Sequence, residues 1–222
     1  MIRHVSFDFD GVLAQGSNEA YIDCYHRAML QVGVELDRDL ERQRILERWG
    51  QPVEQQVELL LLEHPDKISE ALQYFNNARV SPAFRAQVSL YKGAEATIRT
   101  LSSTHTLSIV SGSNRDIIES VLGPELEKLF ASIHSCADYA PLLQKPAPHM
   151  LEQAMLHSSV NPDRTVYIGD APNDIRMAKA AGVAPIAILT GHLTRASATN
   201  LGARYIIDNI SEFPKVISGL TS

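Results

Sequence analysis

The chain opens on an apolar run from Ile2 that leads into Val5-Ser6-Phe7-Asp8-Phe9-Asp10-Gly11-Val12-Leu13. Side chains alternate along a strand, so a strand ending here sets Asp8 and Asp10 on one side of the chain. Gly11 allows a sharp turn beyond them. The pattern then changes. Residues 17 to about 81 carry apolar positions at spacings of three and four, which predicts helices and almost no strand. Ser17 is the expected cap of the first helix, with Tyr21, Ile22, Tyr25, Met29 and Val32 on its inner stripe and Gly33 at its end. Asp37 starts a second, with Leu40, Ile45 and Trp49 as its buried positions, and Gly50-Gln51-Pro52 breaks it. A third runs from Val53 to Leu62 and a fourth from about Asp66 to Val80, where Ser81-Pro82 stops the pattern.

From residue 83 onward short apolar strands alternate with helices. Strands are expected at 106–110, 132–136, 165–168, 185–189 and 205–207, and helices at 93–101, 114–122, 147–157, 173–181 and 211–217. Such alternation predicts a parallel sheet flanked by helices. The expected fold is therefore α/β: a Rossmann-like parallel-sheet core (1–15 and 83–222) interrupted by an all-helical cap (16–82).

In an open parallel sheet, ligands bind at the carboxyl ends of the strands. Those ends, and the loops beside them, carry the unusual polar residues: Asp8 and Asp10, Ser111, Lys145, and Asp170 with Asp174. Taken alone, each has an ordinary explanation. Asp-Gly is a turn, Ser111-Gly112-Ser113 a helix cap, Lys145-Pro146 a loop lysine, and the acids after Gly169 suit a helix dipole. Their shared placement points to chemistry. Phosphoryl transfer needs a nucleophile, a metal, donors around the phosphoryl oxygens and an acid for the leaving group. Asp8 suits the nucleophile, and Asp10 the proton donor and later the base for water. Ser111 and the backbone N–H groups at Gly112-Ser113, which open a helix, suit the phosphate, with Lys145 as a point charge. Asp170 with Asp8 would hold Mg²⁺, and Asp174, one turn on, a metal-bound water.

Composition narrows the partner. Across 222 residues, 45% are hydrophobic and 21% charged, an ordinary globular balance, and the formal net charge is −6. That charge speaks against nucleic acid or an anionic membrane as the main partner. No apolar run approaches the roughly 20 residues of a membrane span, and Met1 to Val5 enters the first strand with no room for a signal peptide. Cys24 and Cys136 form neither a disulfide framework nor a zinc pattern, which fits a reducing cytoplasm.

The ordered motifs resemble those of the haloacid dehalogenase-like hydrolase superfamily: Asp8-Phe9-Asp10-Gly11-Val12-Leu13, then Ser111, then Lys145 with Pro146 and Pro148, then Gly169-Asp170 with Asp174. Together with the helical insert after the first motif, they are similar to the phosphoglycolate phosphatase and β-phosphoglucomutase-like branch. The resemblance covers nearly the whole chain. It implies a Mg²⁺-dependent phosphatase acting on a small phosphorylated metabolite through a phosphorylated Asp8, with Asp8, Asp10, Asp170 and Asp174 as the metal set. Asp10 speaks against dehalogenase chemistry. Val12 departs from a commoner Thr, and Gln15-Gly16 from a common Asp-Ser or Asp-Thr pair at the cap hinge. The cap would choose the substrate, with His26, Arg27, Arg48 and Gln51 as candidate contacts. A sugar-phosphate mutase and, further off, a non-catalytic phosphate-binding protein are the alternatives, and the assembly is a monomer or homodimer.

Overall fold

The opening stretch forms β1 (His4–Phe7), buried along its whole length although His4 and Ser6 are polar. In the computed structural model, which describes residues 1–49 and 52–221, five further strands align with it in parallel. They are β4 (Thr106–Ser111), β5 (Ser132–Ser135), β6 (Thr165–Gly169), β7 (Ala184–Ile188) and β8 (Tyr205–Ile207), in the spatial order β5-β4-β1-β6-β7-β8. The chain runs outward from β1 through β4 to β5, then returns to the other side of β1 for β6. That reversal opens a crevice at the carboxyl ends of β4, β1 and β6, where such sheets place ligands.

Register decides which residues share a face. His4 pairs with Thr106 and Thr165, and Ser6 with Ser108 and Tyr167, so these side chains lie on one face with Asp8 next along it. Helices α8 (His149–Ser158) and α9 (Pro172–Ala180) cover that face through Met150, Leu151, Ala154, Met155, Met177 and Ala178. Phe7 points the other way and meets Phe213 of α11 (Phe213–Thr221) edge-on at 5.6 Å. Helices α6 (Ala94–Ser102) and α7 (Arg115–Glu127), the latter broken at Gly123-Pro124, complete the layers with α10 (Arg195–Leu201). Helix α10, capped by Thr194, has no counterpart in the sequence reading; its short run of Ser, Ala, Thr and Asn offers little apolar periodicity.

A two-stranded antiparallel ribbon, β2 (Ala14–Gln15) with β3 (Ser89–Leu90), marks where the chain leaves and re-enters the sheet unit. The described chain falls into two compact units, 1–15 with 89–222 and 16–88. Residues 83–88, grouped with the core on pattern, belong with the helices. Pro82 does not end the helical pattern but begins a new helix: its missing N–H costs nothing at a first turn, so Pro82–Arg85 forms α5, capped by Ser81. Phe84 of α5 then packs against Tyr21 at 4.8 Å.

Within the helical unit, α1 (Ser17–Gln31), α2 (Arg38–Glu47), α3 (Val53–Leu60) and α4 (Ile68–Ala78) follow the expected order. Gly16, not Ser17, is the N-cap of α1, in the left-handed region, and Ser17 is buried as the first helical residue. Asp37 does cap α2, accepting from the Leu40 N–H at 2.9 Å. The buried face of α2 carries Glu41 and Ile45, whereas Leu40 is exposed and Trp49 half-buried. Glu41 is tolerated there because His26 Nδ1 lies 2.7 Å from its Oε2. Among the described residues no helix is long and apolar enough to cross a membrane.

The polar face of β1 has a stability consequence. His4 is buried, with its Nε2 2.8 Å from Ser108 Oγ. Burial, helped by the nearby His134, pulls its pKa down to about 4. The folded state therefore holds neutral His4 at pH values where the unfolded chain is already protonated. Its contribution is complete above the unfolded value of 6.5 and is lost as pH falls towards 4. The shift amounts to about 3 kcal/mol at most. Denaturant melts at pH 7 and pH 4.5 should show the wild type losing more stability than His4→Gln. Equal losses in the two proteins would contradict this reading.

Candidate active site

Asp8 is the first residue past β1, and its N–H still donates to Ile168 O of β6 at 2.9 Å. The chain then folds into a tight loop, with Leu13 and Ala14 N–H both donating to Phe9 O. Gly11 takes a φ of 70° in that loop, a backbone conformation costly for a residue with a Cβ. A side chain there would also overlap the Asp170 carboxylate, as would one on Gly191 from the loop after β7. Two glycines from different loops thus cradle Asp170.

Asp8, Asp170 and Asp174 are all buried, and each offers an oxygen within 4.8 Å of the others. Lys145, from the loop before α8, inserts its ammonium among them, 2.9 Å from Asp8 Oδ1 and 2.8 Å from Asp174 Oδ1. Asp174 is held further by the Ala171 N–H at 3.0 Å and by the Tyr167 hydroxyl, which lies 3.0 Å from Oδ1 and 3.1 Å from Val110 O. Lys145 also sits over the Tyr167 ring, 5.5 Å from its centroid, a favourable placement for a cation.

The electrostatics follow from burial. Desolvation first, then the Asp174 charge, pushes the Asp8 carboxyl up to about 7, against the pull of Lys145. Asp170 is raised well above its usual range, by burial first and then by Asp8 and Asp174. Burial pulls Lys145 the other way, but the Asp174 and Asp8 carboxylates outweigh it and hold the ammonium charged. A set of three convergent carboxylates, short of positive charge and framed by glycines, fits a hard divalent cation bound through oxygen.

Asp10 is not among those three. Its Oδ2 accepts from the Ser113 hydroxyl instead. Ser111 is buried at the end of β4, and its Oγ accepts the Ser113 N–H at 3.0 Å, while Gly112 between them is exposed. The structure thus gathers Asp8, Lys145, Asp170 and Asp174 directly, and sets Ser111 and Gly112 at the carboxyl end of the neighbouring β4 and Asp10 in the turn beyond β1. The Ser113 N–H, expected at the phosphate, is instead taken up by Ser111 Oγ. Sequence reasoning missed Tyr167, the Ser113 hydroxyl and Thr190, whose hydroxyl donates to Gly11 O and so pins the loop after β1. Tyr167 carries a readable signal: it is a polar-tipped residue at the centre of the buried strand, between Val166 and Ile168.

The described specificity candidates lie in the helical unit. His26 is engaged with Glu41, Arg27 with Asp23 of its own helix at 2.8 Å, and exposed Arg48 accepts from Gln56 Nε2 through its carbonyl at 2.7 Å. Gln51 lies outside the described residues.

Tyr167 should matter beyond packing. Tyr167→Phe removes the hydroxyl that fixes Asp174 while keeping the ring. It should weaken divalent-cation affinity about 10-fold or more, measured by calorimetric titration, and cost about 1 kcal/mol of stability. Unchanged affinity would show that Lys145 and the Ala171 N–H suffice to hold Asp174.

Comparison with known proteins agrees with this geometry. Residues 5–188 match the family model described as haloacid dehalogenase-like hydrolase. The chain is 24% identical over 224 residues to Pyrophosphatase PpaX of Anoxybacillus flavithermus, spanning 100% of this chain and 99% of that protein. A haloacid dehalogenase-like family hydrolase from Streptococcus pneumoniae superposes with a TM-score of 0.81 at 22% identity, covering 97% of this chain and 98% of the other. A predicted phosphoglycolate phosphatase from Haemophilus somnus gives 0.80 at 16%, with the same coverage. With a family match running from the first strand through β7, over the loops that carry all four motifs, the chain belongs to the haloacid dehalogenase-like hydrolases.

Proposed function

We propose that this hydrolase is a Mg²⁺-dependent phosphatase that cleaves a small phosphomonoester through a phosphorylated Asp8. The observation that carries the reading is the buried meeting of Asp8, Asp170 and Asp174 around the Lys145 ammonium. Mg²⁺ held by these carboxylates would neutralise phosphoryl oxygens and set the phosphorus against Asp8.

The chain's own groups then divide the work. An Asp8 carboxylate oxygen attacks phosphorus, and the bond from phosphorus to the leaving oxygen breaks. That oxygen takes a proton from the Asp10 carboxyl. Asp10, now a carboxylate, takes a proton from water as the water oxygen attacks the same phosphorus. The bond from phosphorus to Asp8 breaks, which releases inorganic phosphate and restores both carboxyl groups to their starting states. Ser111 and the Gly112 N–H bind the remaining phosphoryl oxygens, and Lys145 keeps Asp8 aligned and offsets the gathering negative charge.

Substrate choice is assigned to the helical unit. Of its described candidates Arg48 is the strongest, because His26 and Arg27 are already committed to carboxylates of the unit itself. Pyrophosphate belongs in any substrate panel because the relative from Anoxybacillus flavithermus is a pyrophosphatase.

A phosphate-release screen over phosphorylated metabolites and pyrophosphate should find Mg²⁺-dependent turnover of phosphomonoesters that EDTA abolishes. Asp8→Asn should lower kcat by at least about 10³-fold, and hydroxylamine should strip phosphate from the trapped wild-type intermediate. Full activity of Asp8→Asn would remove Asp8 as the nucleophile. Turnover of pyrophosphate alone would move the substrate class from esters to anhydrides.

A further inference from the structure

Asp10 sits in the turn beyond β1, half-buried, where a carboxylate on a short side chain has several rotamers to choose from. Its task is directional, since a proton donor works only within hydrogen-bond reach of the leaving oxygen. We propose that Ser113 is the positioning residue that holds Asp10 in place, an inference that rests on the acid–base role given to Asp10 above.

Ser113 is 1% exposed. Its N–H donates to Ser111 Oγ at 3.0 Å, and its carbonyl accepts from the Ser135 hydroxyl at 2.8 Å. Both partners come from strand ends that pair directly, Ser111 of β4 with Ser135 of β5. With the backbone clamped on either side, the Ser113 hydroxyl is delivered to Asp10 Oδ2. Ser135 is itself anchored. Its N–H donates to Asp138 Oδ2 at 3.1 Å, and Asp138 pairs with Arg115 at 2.8 Å. A continuous series of polar contacts thus runs from the surface pair Arg115–Asp138 through Ser135 and Ser113 to the carboxylate that moves the proton. Ser111 faces the phosphoryl group in this account, so the serine two residues on does a different job: Ser111 binds charge, and Ser113 aims the acid.

The test exploits leaving-group basicity. A good leaving group such as p-nitrophenolate departs without a proton, whereas a primary alkoxide needs one. Loss of proton delivery therefore falls on the alkyl ester, while a general structural defect falls on both esters alike. The measurement is kcat/KM for p-nitrophenyl phosphate and for a primary alkyl phosphate, with saturating Mg²⁺, in wild type, Asp10→Asn, Ser113→Ala, Ser113→Cys and Ser113→Thr.

Asp10→Asn should lose about 10²-fold more on the alkyl ester than on the aryl ester. Ser113→Ala should show the same bias at about 10-fold, and Ser113→Thr, which keeps the hydroxyl, should restore the wild-type ratio. Ser113→Cys, nearly isosteric with a weak donor, should fall between the two and carries the test if the alanine variant does not fold. A selective alkyl loss in Asp10→Asn with equal losses on both esters in the Ser113 variants would overturn the positioning role. Equal losses in Asp10→Asn itself would instead overturn the acid–base assignment of Asp10.

Discussion

Three carboxylates and one ammonium are taken out of water together at the carboxyl end of the sheet, and the rest of the structure is arranged around that fact. Asp8, Asp170 and Asp174 lie within 4.8 Å of one another, with Lys145 between Asp8 and Asp174. Burying unpaired charge is costly, and one lysine leaves two negative charges over, which is the charge a divalent cation carries. The upward shifts of Asp8 and Asp170 come from burial first and then from this same imbalance of charge. A site tuned only for stability would hold an apolar cluster here, since buried ion pairs rarely repay their desolvation.

The fold supplies what this cluster needs. β1 is flanked by β4 and β6, so the residues just past three adjacent strands converge, and parallel pairing puts them on one rim. Backbone and side-chain donors fix each acid: the Phe9 N–H on Asp8 at 2.7 Å, the Ala171 N–H and Tyr167 on Asp174, and glycines at 11 and 191 that leave room for Asp170. Asp10 stands apart, tied to Ser113. This separation suits the division of work proposed above, with Asp8 beside a cation as the nucleophile and Asp10 as the acid–base group.

Much of this was legible in the chain. The alternation after residue 83 carries every strand of the large sheet apart from β1, and the motif residues fall at strand ends because buried parallel strands read as plain apolar runs that stop where chemistry begins. What escaped reading has physical causes. The ribbon of Ala14–Gln15 with Ser89–Leu90 is two residues wide on each side, too short for a period to show. Pro82 carries both meanings, helix stop and helix first turn, and only the packing of Phe84 on Tyr21 decides between them. Leu40 reads as a core residue beside Ile45 because it is apolar, yet α2 leaves it exposed and turns Glu41 inward onto His26. Tyr167 and Ser113 act by long-range contact, to Asp174 and to Asp10, and one sequence holds no record of such pairs.

The central claim is that the charge left unbalanced among Asp8, Asp170, Asp174 and Lys145 is met by a divalent cation. Thermal melting of the wild-type protein against Mg²⁺ concentration tests it without reference to any substrate, because a ligand that binds only the folded state raises its melting temperature with concentration. The account predicts a melting temperature that climbs with Mg²⁺ in the wild type and stays level in Asp170→Asn, whose cluster carries one negative charge fewer. A wild-type melting temperature indifferent to Mg²⁺ up to millimolar levels would contradict it.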